Sequence, residues 1–124
     1  MARFSFSRKY NSERLFDIDV TGLQYHELYD IDDGDDDHVY VVEGIYINTK
    51  GRYEDRPCVV CHDDRGFRDY VNLPSHLTDQ CREILRDVNA VAAINSGNVG
   101  FTIYRYYAKN YDNKECWSIR WKDI

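Results

Sequence analysis

The chain has 124 residues, a net charge of −6, 43% hydrophobic residues and 15% aromatic residues, with 11 tyrosines. The length fits one domain with one core, and the acid excess excludes the whole-domain basic footprint that a duplex-DNA binder carries. There is no run of about 18 apolar residues and no secretory apolar core in residues 1–10, so the 4 cysteines predict free thiols in a cytoplasmic protein without a membrane partner.

The charge is unevenly spread. Residues 1–14 hold four Lys/Arg and one acid, residues 15–43 hold ten acids and no Lys or Arg, and residues 101–124 hold five bases and three acids. Residues 1–13 therefore read as a basic arm and residues 14–124 as a single globular domain. Residues 15–20 alternate Phe16, Ile18 and Val20 against Asp17 and Asp19, which predicts a half-buried strand. Residues 23–29 fit a helical turn and a strand equally. Residues 30–38 read as a loop, because so many like charges cannot be packed together.

Residues 39–49 predict a long strand, Lys50 and Gly51 a turn, and residues 56–61 the partner strand. Pro57 lacks an amide hydrogen, so it starts that strand or marks an edge. Residues 62–68 read as a charged loop and 70–73 as a short extended piece. Asn72, Pro74 and Ser75 then signal a helix start, and Leu77, Cys81, Ile84, Leu85 and Val88 recur at helical spacing. The main helix is expected over about 74–88, with a second short piece at 90–95 stopped by Gly97.

The closing stretch reads as an aromatic, basic β-hairpin. On its two strands Phe101, Ile103, Trp117, Ile119 and Trp121 fall on core-seeking sides. Thr102, Tyr104, Tyr106, Ser118, Arg120 and Lys122 fall on the opposite sides. The predicted fold class is α+β and β-dominated: an OB-like five-stranded barrel or curved antiparallel sheet, with one main helix between strands 3 and 4.

That element order resembles the OB-fold, a small Greek-key barrel with a helix between its third and fourth strands. The resemblance is topological and covers residues 15–124. It implies single-stranded nucleic-acid binding on the second and third strands and their loops, which here means Tyr46, Lys50, Arg52, Tyr53 and Arg56. The segments 70–78 (YVNLPSHLT) and 116–124 (CWSIRWKDI) also look like those of small accessory proteins of bacterial phages and mobile elements.

The leading expectation is a non-catalytic protein whose partner is single-stranded nucleic acid. Tyr46, Tyr53, Tyr104 and Tyr106 would stack bases, while Lys50, Arg52, Arg56, Arg105, Arg120 and Lys122 would neutralise phosphates. The bland alternative is an ordinary sheet whose tyrosines pack at the barrel ends. A second functional alternative uses Asp30, Asp32, Asp33, Asp35, Asp36 and Asp37. Clustered carboxylates can mimic nucleic acid and occupy a basic groove on a nucleic-acid-binding host protein, as an anti-CRISPR-like inhibitor would. A solvated loop is the plain reading of the same residues. An EF-hand is excluded, since placing Gly34 at the sixth loop position puts Tyr40 where the closing glutamate belongs.

Cys58-Val-Val-Cys61-His62 has the spacing of half a zinc site, but no second pair follows, and residues i and i+3 of a strand face opposite sides. No glycine-rich phosphate loop and no assembled nucleophile–base arrangement points to catalysis, and no cofactor is expected. A closing strand at a sheet edge could pair with a second copy as a homodimer.

Overall fold

The computed structural model of the chain describes residues 15–49 and 54–124. The expected basic arm and three candidate residues, Lys50, Arg52 and Tyr53, lie outside the described residues. The elements in chain order are β1 (Tyr25–Glu27), α1 (Leu28–Ile31), β2 (Tyr40–Asn48), β3 (Arg56–His62) and β4 (Arg68–Asn72). A 3₁₀ turn (Ser75–Leu77), α2 (Thr78–Arg86), α3 (Val88–Asn95), β5 (Val99–Ala108), a second 3₁₀ turn (Lys109–Tyr111) and β6 (Lys114–Asp123) follow.

The fold is β-dominated α+β, a curled half-barrel whose described strands run in the order β1-β4-β3-β2-β5-β6. This corrects the expectation of five antiparallel strands in two ways. Six strands are present among the described residues, and β1 pairs with β4 in parallel. The extra strands are the short ones. Residues 68–72 pair with β3 on one side and β1 on the other, so the short extended piece is a full member of the sheet. Residues 23–29 realise both of their readings, a three-residue strand followed at once by a helical turn. Glu27 and Asp30 make that switch through a capping box, in which the Glu27 amide donates to Asp30 Oδ2 at 3.0 Å.

Residues 15–20, expected as a strand, are irregular. Side chains serve their backbone instead of a ladder. Asn95 Nδ2 donates to the Leu15 carbonyl at 3.1 Å, Arg68 Nη2 donates to the Asp19 carbonyl at 2.8 Å, and the Thr21 amide donates to Asp19 Oδ1 at 2.9 Å. Phe16 still buries its ring, 6.0 Å from Tyr46 in an edge contact.

The expected main helix over about 74–88 is a 3₁₀ turn followed by α2, and the expected second piece at 90–95 is α3, which begins two residues earlier at Val88. Asp87 takes an extended conformation and its Oδ1 accepts from the amides of Asn89 and Ala90 at 2.9 and 3.3 Å. An aspartate that caps the next helix cannot also continue the last one. Val88 consequently leaves the apolar stripe and is 78% exposed, whereas Cys81 is buried. α3 ends in a Schellman turn at Gly97, where φ is +75° and the Asn98 amide donates to the Ala93 carbonyl.

The core joins Val42, Ile45, Val59, Val71, Leu73, Cys61, Cys81 and Phe101, all fully buried. Tyr40 stacks on Phe101 at 5.3 Å and meets Phe67 edge-on at 5.9 Å, and Phe101 meets Trp121 at 6.4 Å. A bulge at Val42/Gly44 leaves Glu43 without a register partner on β3. Its carboxylate accepts instead from Arg68 Nε at 2.9 Å and pairs with His62 Nδ1 at 3.0 Å. The β5–β6 hairpin is registered over its whole length but joins β2 through only two pairs, Tyr40↔Phe101 and Val41↔Gly100. No helix among the described residues is long and apolar enough to cross a membrane.

Candidate functional site

The hairpin register sorts its side chains. Arg105 stands opposite Trp117, on the face that carries Phe101, Ile103, Ile119 and Trp121 toward the core. Tyr104, Tyr106, Lys114, Cys116, Ser118, Arg120 and Lys122 share the other face. There the Tyr104 and Tyr106 rings lie 5.9 Å apart, and the Arg120 guanidinium sits over the Tyr104 ring at 4.5 Å. Tyr106, Lys114, Arg120 and Lys122 are exposed, Tyr104 is half-buried, and Thr102 and Ser118 are buried. Cations and tyrosine rings, the kinds of group that can neutralise phosphates and stack bases, thus sit side by side on one surface.

The acid run lies against the opposite face. Asp32 ion-pairs with Arg105 and accepts from Trp117 Nε1 at 2.9 Å, leaving its side chain 7% exposed. Partial burial pushes the Asp32 carboxyl up. The Gly34 amide, Arg105 and the Trp117 indole together outweigh that and hold it below the ordinary carboxylate value. Asp33 is held low chiefly by the Asp35 amide, with help from His38 and Arg65 at 2.9 and 2.7 Å. His38 stacks on Tyr40 at 4.3 Å, and its other ring nitrogen meets Asp63 at 3.0 Å. Asp30 belongs to the α1 capping box, and Asp35 accepts from the Asp37 amide at 2.9 Å. The residues expected as one solvated or partner-binding ridge therefore divide. Asp32 ties the loop to the β5–β6 hairpin, Asp33 pairs with His38 and Arg65, and Asp35, Asp36 and Asp37 stay exposed.

The structure disperses the other expected site residues. Arg105 is on the acid-bound face, away from Tyr104 and Tyr106. Tyr46 is half-buried between Phe16 and Tyr70, the latter 6.2 Å away, so the β2–β3 surface that an OB-fold would use is occupied by the protein's own rings there. Arg56 and Tyr106, far apart in sequence, come together in a cleft of about 620 Å³ between the hairpin tip and the β1–β4–β3 side of the sheet. Sequence reasoning missed its other walls: Glu27, Tyr29, Asn72, His76 and Trp117. They are scattered over four elements and one 3₁₀ turn, so no local spacing announces them.

Cys58 and Cys61 occupy opposite faces of β3 by register and are both buried. Burial pushes the Cys58 thiol up to about 11 and drives Cys61 higher still. Among the described residues no group of His, Cys, Asp and Glu is placed to hold a metal ion. No protein-family model, curated protein or solved structure matches the chain.

Proposed function

We propose that the protein binds single-stranded nucleic acid, without catalysis, on the Tyr104–Tyr106 face of the β5–β6 hairpin. One observation carries the reading: the hairpin separates charge. The acid run is tied to one face through Asp32, Arg105 and Trp117, while Lys114, Arg120 and Lys122 stand with two tyrosine rings on the other. A binder with a net charge of −6 must keep its carboxylates away from the phosphates, and this arrangement does so locally.

Two adjacent rings supply stacking for one or two bases, each contributing about 1–3 kcal/mol. Exposed cations supply a salt-dependent term that does not read sequence. A duplex keeps its bases stacked on one another and offers the tyrosines nothing, so single strands are favoured.

Fluorescence anisotropy with a labelled oligothymidylate of about 15 nucleotides at low salt tests this directly. We expect saturable binding that weakens with added salt, and a loss of about tenfold or more in the Tyr104→Ala/Tyr106→Ala double variant. Absence of binding at protein concentrations of about 10–100 μM, the weak non-specific range, removes the proposal. The same assay separates it from the nucleic-acid-mimic alternative. Replacing Asp35, Asp36 and Asp37 with asparagine leaves oligonucleotide binding intact or strengthens it.

A further inference from the structure

We propose that the cleft beside the hairpin tip takes one unstacked guanine base from the strand held on the Tyr104–Tyr106 face; the inference rests on that reading of the face. Tyr106 belongs to both surfaces, so a strand laid along the tyrosines reaches the cleft mouth without a gap. The volume of about 620 Å³ lies within the range of small-ligand pockets and exceeds what one base needs.

The walls suit a flat ring. Tyr29 and Trp117 meet edge-on at 5.7 Å on one side of the cleft, and Tyr106 stands on another. Stacking between aromatic side chains is how an unstacked base is held. A second wall is polar and rigid. Arg56 Nε donates to the Leu73 carbonyl at 2.8 Å, and its Nη2 ion-pairs with Glu27 at 2.7 Å. Glu27 is itself fixed by Asn72 Nδ2 at 2.8 Å. The guanidinium is therefore held in one orientation, with 39% of the side chain exposed.

Charge decides between a phosphate and a base. Glu27 compensates Arg56, and Glu54 and Glu115 outnumber Lys114 among the other charged residues lining the cleft. An anion would be repelled there, whereas a neutral ring carrying both donors and acceptors fits. Guanine offers the acceptors O6 and N7 to a guanidinium and the donors N1–H and N2–H to a carboxylate. Thymine and cytosine lack the paired O6 and N7 acceptors, and adenine presents a donor where guanine has O6.

The test uses the unmodified protein and four competitor strands: oligothymidylate, and the same strand with one central deoxyguanosine, deoxyadenosine or 7-deazadeoxyguanosine. The deoxyguanosine strand should compete about tenfold better than oligothymidylate, and the other two should not. If oligothymidylate binds but deoxyguanosine gives no gain, the cleft proposal is overturned while the binding face stands. An equal gain from deoxyadenosine or from the 7-deaza base overturns guanine recognition through N7. If no strand binds, the face reading fails and takes the cleft with it. Arg56→Lys keeps the charge and loses the planar fork, so it should abolish the deoxyguanosine gain while keeping oligothymidylate affinity. A variant that retains the full gain overturns the role given to Arg56.

Discussion

Asp32 is the residue on which the acid run turns. Its carboxylate serves the Gly34 amide, the Arg105 guanidinium and the Trp117 indole at once. Asp32→Ala removes the acceptor of the Trp117 indole and the nearer carboxylate of Arg105, and we expect a loss of about 1–3 kcal/mol in thermal or denaturant unfolding. The pH dependence has a definite sign. Asp32, Asp33, Glu43, Asp63 and Asp69 all have folded carboxyls held below their ordinary values. Their stabilisation is complete above the unfolded carboxylate range and is lost as pH falls through the lower folded values. Circular dichroism across about pH 5 to 2 should therefore show unfolding, and Asp32→Asn should make that transition less steep. The cysteines give a second residue-scale prediction. Burial raises Cys58 and Cys81 to about 11 and Cys61 further, whereas Cys116 is only partly covered. A thiolate does the reacting. Titration with a disulfide reagent near neutral pH should modify Cys116 quickly in the native protein, and all 4 cysteines only after unfolding.

At the scale of elements, Asp87 sets the boundary between α2 and α3. Asp87→Ala removes the acceptor for two α3 amides and should cost about 1 kcal/mol, read as a shift in the urea midpoint without a change in slope. The sequence shows the apolar stripe through Leu77, Cys81, Ile84 and Leu85 but extends it to Val88, because periodicity alone does not see a side chain competing for backbone amides. The hairpin is the most legible element. Its alternation is local, so its core side and its tyrosine side can be told apart from order alone. β1 is the least legible. Three residues carry too little pattern to announce a strand, and its parallel pairing with β4 joins Tyr25 to Tyr70 across the chain. The cleft fails to show in the sequence for the same reason: Arg56 and Tyr106 are both candidates by residue type, but nothing local says that they line one cleft.

At the scale of the whole molecule, the half-barrel is held together where β2 meets β5. That seam has only two registered pairs, so the residues in it carry unusual weight. Phe101 is fully buried against Tyr40 and Trp121, and Phe101→Ala should cost about 3–5 kcal/mol and split the sheet there. Gly100 is demanded by close approach, since a Cβ at that position would lie 2.8 Å from the Tyr40 carbonyl oxygen. Gly100→Ala should lower the melting temperature even though the change adds one methyl group. The seam also sets an order of events during synthesis. The Tyr40 end of β2 has no neighbour on that side until a strand translated about sixty residues later arrives, and until then it is an open edge of the kind that recruits other chains. The β5–β6 hairpin can close on itself through near neighbours in sequence and then dock as a finished piece. When it docks, Arg105 and Trp117 find Asp32, and Tyr106 reaches the cleft. Sealing the exposed edge and assembling the proposed binding surface are thus one step, and a nascent chain stalled before the hairpin would lack that surface and keep a sticky edge.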